Sequence, residues 1–225
     1  MKKLILAVLV LTATASMAQT NLQVMYDFGN SRKNVTSTLE MFKPDKWGDT
    51  FFFVDMEFNG GAQKQPSLAY MEIARCLKFW DGPISAQVEY NGGLLLSGAV
   101  GFPINNAYLA GVDYAWHDKD FTKFLNFKVL YKSIQGKNPN SFQLTGVWNL
   151  NYLNKKLTFS GFADFWFEKT HWGTNTTNTV FISEPQLWYN FSKHFSLGGE
   201  VEVATNFAPV EGFNVCPTLG AKWNF

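Results

Sequence analysis

The sequence predicts an all-β protein, a twelve-stranded antiparallel transmembrane β-barrel with an N-terminal signal peptide. Three observations carry that expectation. Side-chain polarity alternates with period two along most of the chain, and helical periodicity is hard to find. The alternating segments number twelve, an even count as in bacterial single-chain barrels. The chain ends on aromatic Phe225, directly at the close of the last segment.

Composition excludes several other classes. Lys+Arg 19 against Asp+Glu 18 is too balanced for a dedicated nucleic-acid binder, so no nucleic acid is expected as a partner. Two Cys cannot make a disulfide-rich scaffold. Low charge with 17% aromatics argues against disorder. A mean hydropathy of -0.11 argues against a helical membrane bundle, as does the lack of a long apolar run beyond the leader.

Residues 1–18 read as a secretory signal. Met1-Lys2-Lys3 precedes the apolar run Leu4 to Leu11, and Ser16-Met17-Ala18 fits a small-x-small cleavage site. The apolar core is too short for a transmembrane helix; a hydrophobic first strand is the competing reading. Cleavage after Ala18 leaves 19–225 as the barrel. It removes Lys2 and Lys3, so the formal charge of +1 turns slightly negative.

The candidate strands lie near 20–29, 34–43, 49–58, 67–78, 83–91, 107–117, 122–132, 141–151, 156–168, 179–191, 195–206 and 213–225. Turn formers separate them, such as Asn59-Gly60-Gly61, Asp81-Gly82-Pro83, Asn91-Gly92-Gly93 and Lys137-Asn138-Pro139-Asn140. In the last segment Val215, Leu219, Ala221, Trp223 and Phe225 share one face, and Asn214, Cys216, Thr218, Lys222 and Asn224 the other. In the third, Phe52, Val54, Met56 and Phe58 alternate with Phe51, Phe53, Asp55 and Glu57.

A soluble sandwich turns its apolar face inward and a membrane barrel turns it outward, so periodicity alone does not separate them. Connection lengths do. Those at 44–48, 79–82, 118–121, 152–155 and 192–194 are short, whereas the opposite end holds the two longest, 92–106 and 169–178. Short periplasmic turns and longer external loops produce that bias. Trp47, Phe79, Trp80, Trp116, Tyr152, Trp172, Trp188, Tyr189, Trp223 and Phe225 cluster near strand ends, where interfacial girdles belong.

The stretch Trp47-Gly48-Asp49-Thr50-Phe51-Phe52-Phe53-Val54-Asp55 resembles a hallmark of the nucleoside-specific outer-membrane channel (Tsx-like) family. Further stretches follow in the same order: Thr38-Leu39-Glu40 before it, then Tyr70-Met71-Glu72-Ile73, Tyr108-Leu109-Ala110-Gly111-Val112-Asp113 and Gln143-Leu144-Thr145-Gly146-Val147-Trp148. Gly161-Phe162-Ala163-Asp164, Glu184-Pro185-Gln186-Leu187 and the Lys222-Trp223-Asn224-Phe225 ending complete the series. The resemblance implies a narrow pore in the bacterial outer membrane that passes nucleosides by passive diffusion. The chain is on the short side for that family, which leaves the solute open. The ending, with Trp223 and Phe225, resembles the terminal strand that the barrel-assembly machinery reads. Outer-membrane lipid is the other expected partner.

The alternation assigns Glu40, Phe42, Phe51, Phe53, Asp55, Glu57, Tyr70, Glu72, Glu89, Phe162, Asp164, Trp166, Glu184, Gln186, Glu200 and Glu202 to the lumen as candidate substrate contacts. Aromatic rings stack on a nucleobase. Carboxylates and amides accept from ribose hydroxyls and exocyclic amines. Inward Lys128, Lys132 and Lys222 offer the structural alternative, ion pairs that merely fill the lumen.

No enzyme is expected. His117, His171 and His194 lie in or beside connections with no serine nucleophile motif near them, and no HExxH, CxxC or glycine-rich phosphate loop occurs. No cofactor or metal is expected. Cys76 and Cys216 fall on non-adjacent strands and read as free lumen thiols, a bridge across the pore being the lesser alternative. Two other functions stay open: a non-transporting structural or surface-interaction barrel, and a secreted soluble β protein.

Overall fold

The computed structural model describes residues 19–30, 32–58, 65–97 and 100–225. The expected leader 1–18 and the Asn59-Gly60-Gly61 turn lie outside the described residues. The segments in chain order are β1 (Gln19–Asp27), β2 (Val35–Asp45), β3 (Gly48–Phe58), β4 (Pro66–Leu77), β5 (Ile84–Ser97), β6 (Val100–His117), β7 (Lys123–Ile134), β8 (Ser141–Tyr152), β9 (Leu157–Trp172), β10 (Asn175–Ser183), β11 (Gln186–Asn190), β12 (Phe195–Thr205) and β13 (Phe213–Asn224).

Each strand pairs antiparallel with its neighbours in sequence, except that β10 and β11 each pair with both β9 and β12, and β1 closes on β13 through Asn21↔Asn224 to Asp27↔Thr218. The ring has twelve strands because β10 and β11 are one strand with a gap. Ile182 faces Ala204 and Gln186 faces Glu200, in unbroken register along β12. The gap is Glu184-Pro185, where proline has no N–H to give the ladder. Gly161 on β9 lies opposite, at φ 147, and a Cβ there would stand 2.4 Å from the Glu184 carbonyl oxygen.

The apolar face points outward. On β1, Leu22, Val24, Tyr26 and Phe28 are exposed, whereas Gln23 is 0% and Asn21 7% exposed. On β7, Phe127, Val129 and Tyr131 are exposed and Leu130 and Lys132 are buried. A closed ring wrapped in apolar side chains is the surface lipid requires, since every backbone group must be paired within the ring. Among the described residues no helix is long and apolar enough to cross a membrane; strands make the crossing.

The first described residue, Gln19, and the C-terminal Phe225 lie at the end with tight turns. Asp45 and Gly48 pair across the β2–β3 turn, and the Trp47 N–H donates to the Asp45 carboxylate at 2.7 Å. The β6–β7 turn is held by Asp118, which accepts from the Thr122 hydroxyl at 2.6 Å and the Thr122 N–H at 2.7 Å. That hydroxyl bond above all holds the Asp118 carboxyl below its usual range, so the turn loses this support only as pH falls below that range, through the lowered value.

In the two long connections expected at 92–106 and 169–178 the described residues are almost all strand instead. The β5–β6 ladder continues through Gly93↔Ile104, Leu94↔Pro103 and Leu95↔Phe102 to Ser97↔Val100. Glycines and Pro103 suggested a loop, but residues beyond Ala107 toward the tip have no partner on β7, and an edge tolerates proline. Leu94, Leu95, Val100 and Phe102 are exposed on this hairpin, so it stands up as an extension of the wall. Likewise β9 and β10 pair up to Trp172↔Asn175.

The girdle expectation holds at the turn end, with one correction. Trp47 and Phe79 lie 5.8 Å apart, Tyr189 and Phe191 4.8 Å, and His194 stacks on Trp223 at 5.7 Å. Phe225 is exposed, and its N–H donates to Thr20 at 3.0 Å, prolonging the closure. Trp188, however, is inward and 1% exposed. Adjacent Trp188 and Tyr189 are both aromatic, so polarity did not reveal which one faces lipid.

Val129 lies midway along β7 on the lipid face. Val129→Arg is expected to destabilise the barrel by about 2–4 kcal/mol in denaturant titration from liposomes, the cost of a midplane cation. An unchanged midpoint would place Val129 away from lipid.

Candidate functional site

The inward rows of the twelve strands converge on the lumen, and alternation brings all the expected site residues there. One wall is an aromatic track. Phe42 and Phe51 face each other across β2–β3, with Phe42 at the mouth and 39% exposed. Phe51 and Phe53 lie 6.2 Å apart, and Phe53 and Tyr70 6.1 Å. Acceptors flank the rings. Phe53 sits between its cross-strand partners Glu40 and Glu72, and Asp55 faces Tyr70.

Hydrogen bonds set most of these carboxylates. Asn21 donates to Glu40 at 2.9 Å, Thr38 to Asp55 at 2.5 Å, Asn34 to Glu57 at 2.8 Å and the Tyr70 hydroxyl to Glu72 at 2.7 Å. On the same wall Gln87 donates to Glu89 at 2.7 Å, and across the barrel Gln186 donates to Glu200 at 2.7 Å. Glu184 sits in the β10–β11 gap, where its backbone N–H donates to the Phe162 carbonyl at 3.0 Å. Asp164 keeps one buried oxygen, Oδ1, without a partner.

Two of the inward lysines, Lys132 and Lys222, form no ion pair with a carboxylate. Lys132 donates to Gln143 at 2.6 Å and lies 3.7 Å from the Trp166 ring centroid. Lys222 reaches Gln186 at 3.4 Å and sits 4.2 Å over Trp188. For these two lysines cation–π contact and amide oxygens take the place of the ion pairs that the structural alternative offered.

Three features escaped the sequence reading. Arg32, in the β1–β2 connection, donates to both Glu202 carboxylate oxygens at 2.8 Å and approaches Asp27 at 3.4 Å. Phe207, in the β12–β13 connection, lies edge-on to Trp166 at 6.2 Å. Neither position belongs to an alternating segment, so no periodic signal marks it. The third is an apolar belt inside the barrel. Trp166, Val180, Ile182 and Ala204 cluster with Phe162 and Phe207, and Ile134 joins them to Ala107, Leu109 and Leu130. The lumen is therefore two-sided: polar and aromatic along β1–β5, more apolar along β6–β12. The apolar belt lies toward the end opposite the termini.

Cys76 and Cys216 are free and buried, on β4 and β13. Cys76 donates toward Gln87 at 3.3 Å, and the Asn214 amide donates to Cys216 Sγ at 3.2 Å. Among the described residues no group of three His, Cys, Asp or Glu is placed to hold a metal ion.

A family profile described as "Domain of unknown function (DUF5020)" matches residues 18–225, and the chain belongs to that family. No curated protein matches the chain. Among solved structures, the NanC porin is similar at TM-score 0.60 and 10% identity, over 92% of this chain and 99% of that one. The KdgM porin is similar at TM-score 0.52 and 12% identity over the same shares, as is the KdgM porin in complex with disordered oligogalacturonate. These likenesses establish a porin-type barrel fold. With the outward apolar surface, that fold places the chain in the bacterial outer membrane.

At 3% and 0% exposure, Cys76 and Cys216 should resist a thiol reagent in the folded barrel and both react after unfolding without reductant. Fewer than two labels on the unfolded, unreduced chain would contradict free thiols.

Proposed function

We propose that this chain is an outer-membrane channel for passive diffusion of nucleosides or similar small polar solutes. The observation that supports it most is the Phe51–Phe53–Tyr70 track with Glu40, Asp55 and Glu72 along its edges. A flat base can stack on successive rings while its ribose hydroxyls and amines donate to the flanking carboxylates. Several weak sites in series let a solute enter and leave. Twelve strands enclose a lumen between those of eight-stranded filled barrels and 16–18-stranded porins, a scale suited to one small solute at a time. The likeness to porin barrels supports the general channel role, and the Tsx-like resemblance of the Trp47–Asp55 stretch supports nucleosides.

In this reading residues 1–18 direct export and are removed. The outward-facing Trp223 and Phe225 then serve the barrel-assembly machinery. The channel needs no cofactor and catalyses no reaction. A second reading, a barrel that transports nothing, draws support from the apolar belt capped by Phe207 and from the Arg32–Glu202 pair, which together occupy the end opposite the termini.

Planar-bilayer recording separates the two. The channel reading expects discrete conductance, reversibly reduced by millimolar adenosine. Phe53→Ala should weaken that block by at least about fivefold, since stacking contributes about 1–3 kcal/mol per base. Conductance indifferent to adenosine, with no nucleoside uptake by liposomes, would defeat the nucleoside assignment and leave the barrel intact. Phe207→Ala should raise conductance by thinning the belt; equal conductance would show that Phe207 is outside the permeation path.

A further inference from the structure

Resting on the channel reading, we infer that the lumen selects solutes by donor chemistry: it passes uncharged or cationic molecules rich in N–H and O–H groups and rejects carboxylate- or phosphate-bearing ones. Two independent observations lead there.

The first is how the inward cations are spent. The Arg32 guanidinium is taken by Glu202 and Asp27. Lys132 is taken by Gln143 and the Trp166 ring, Lys222 by Gln186 and the Trp188 ring. Lys128, the other inward lysine, lies in electrostatic range of Asp49 and Asp164. Among the described residues no ion pair reaches Glu40, Asp55, Glu72, Asp164, Glu184 or Glu200, which stand on both sides of the lumen. Lys132 also lies in electrostatic range of Glu72 and Asp164, and Lys222 of Glu40 and Glu200, so the cations balance part of this charge. The carboxylates outnumber them, and the excess, facing a narrow, poorly screened passage, holds a negative potential along it, as charged rings do in cation-selective channels.

The second concerns hydrogen bonding. The buried side-chain atoms without a partner on the lumen side are all acceptors: Gln23 Oε1, Asn34 Oδ1, Asn91 Oδ1 and Asp164 Oδ1. Gln23 is 0% exposed and Asn91 5%. The one orphaned donor among the described residues, Trp148 Nε1, belongs to the outward row of β8. Unpaired acceptors are costly, and their presence shows that acceptors outnumber donors in the lining, so a solute rich in donors matches it better than one that brings further acceptors. Neutral polyols, nucleosides and amino sugars meet that demand. Uronates and nucleotides add anionic acceptors where acceptors are already in surplus.

The test uses the whole barrel in planar bilayers and liposomes. A KCl gradient across the bilayer should give a reversal potential on the K⁺ side. Liposomes should take up glucosamine faster than galacturonate, a sugar of similar size and opposite charge. The triple variant Glu72→Gln, Glu184→Gln, Glu200→Gln keeps side-chain volume and should move the K⁺/Cl⁻ permeability ratio toward one and narrow the sugar difference. Heat-modifiable migration reports that the variant is folded; if it is not, Glu40→Gln alone should still lower the ratio. Conductance with no cation preference, or with galacturonate the faster solute, overturns this inference while the channel reading stands. Absence of any conductance overturns both.

Discussion

Everything in this structure depends on the pairing of β1 with β13. Hydrocarbon offers no partner to a backbone N–H or C=O, so a sheet can span it only with no edge left. Seven cross-strand pairs from Asn21↔Asn224 to Asp27↔Thr218 remove that edge, and the Phe225 N–H bonded to Thr20 extends them. Once the ring is closed, each strand must present one row to lipid and one to the lumen. The Leu22, Val24, Tyr26 and Phe28 row and the Asn21, Gln23, Met25 and Asp27 row are the two outcomes of that requirement.

The same constraint accounts for local irregularities. Proline is admitted only where the ladder can spare a donor. Pro103 lies on the free edge of the β5–β6 hairpin, and Pro185 in the gap between β10 and β11. Near that gap the lumen changes character. Phe162 and Ile182 join the apolar belt, while Glu184, Gln186 and Glu200 continue the polar surface toward the termini. At the level of the belt an apolar surface thus faces the polar, ring-lined wall, and in the proposed channel a solute with a flat face and a hydroxylated edge would meet complementary surfaces there. In that proposal a loosely held solute would move from ring to ring.

The fold was legible because lipid enforces period two so strictly. Strand count, register parity and the lumen assignment of residues such as Asp55, Glu72 and Glu200 all follow from it. The strand character of 92–106 and 169–178 was not fixed in advance because glycine and proline mark loops in most sheets, and a protruding hairpin edge relaxes that rule. Trp188 was misplaced because its neighbour Tyr189 is equally aromatic. Arg32 and Phe207 were invisible for a deeper reason: they reach the lumen from connections, where sequence spacing says nothing about direction. The lysines were seen to face inward, but their partners were not, since a cation over Trp166 or Trp188 leaves no mark in a one-dimensional pattern.

The central claim is the inversion of the barrel, with apolar side chains in lipid and polar ones around the lumen. Nitroxide labels placed singly at 126 to 132 on β7, in a cysteine-free background reconstituted in liposomes, measure it directly through collisions with dissolved oxygen. The structure predicts alternation with maxima at Phe127, Val129 and Tyr131 and minima at Lys128, Leu130 and Lys132. Maxima on the even positions, or no alternation at all, would contradict it.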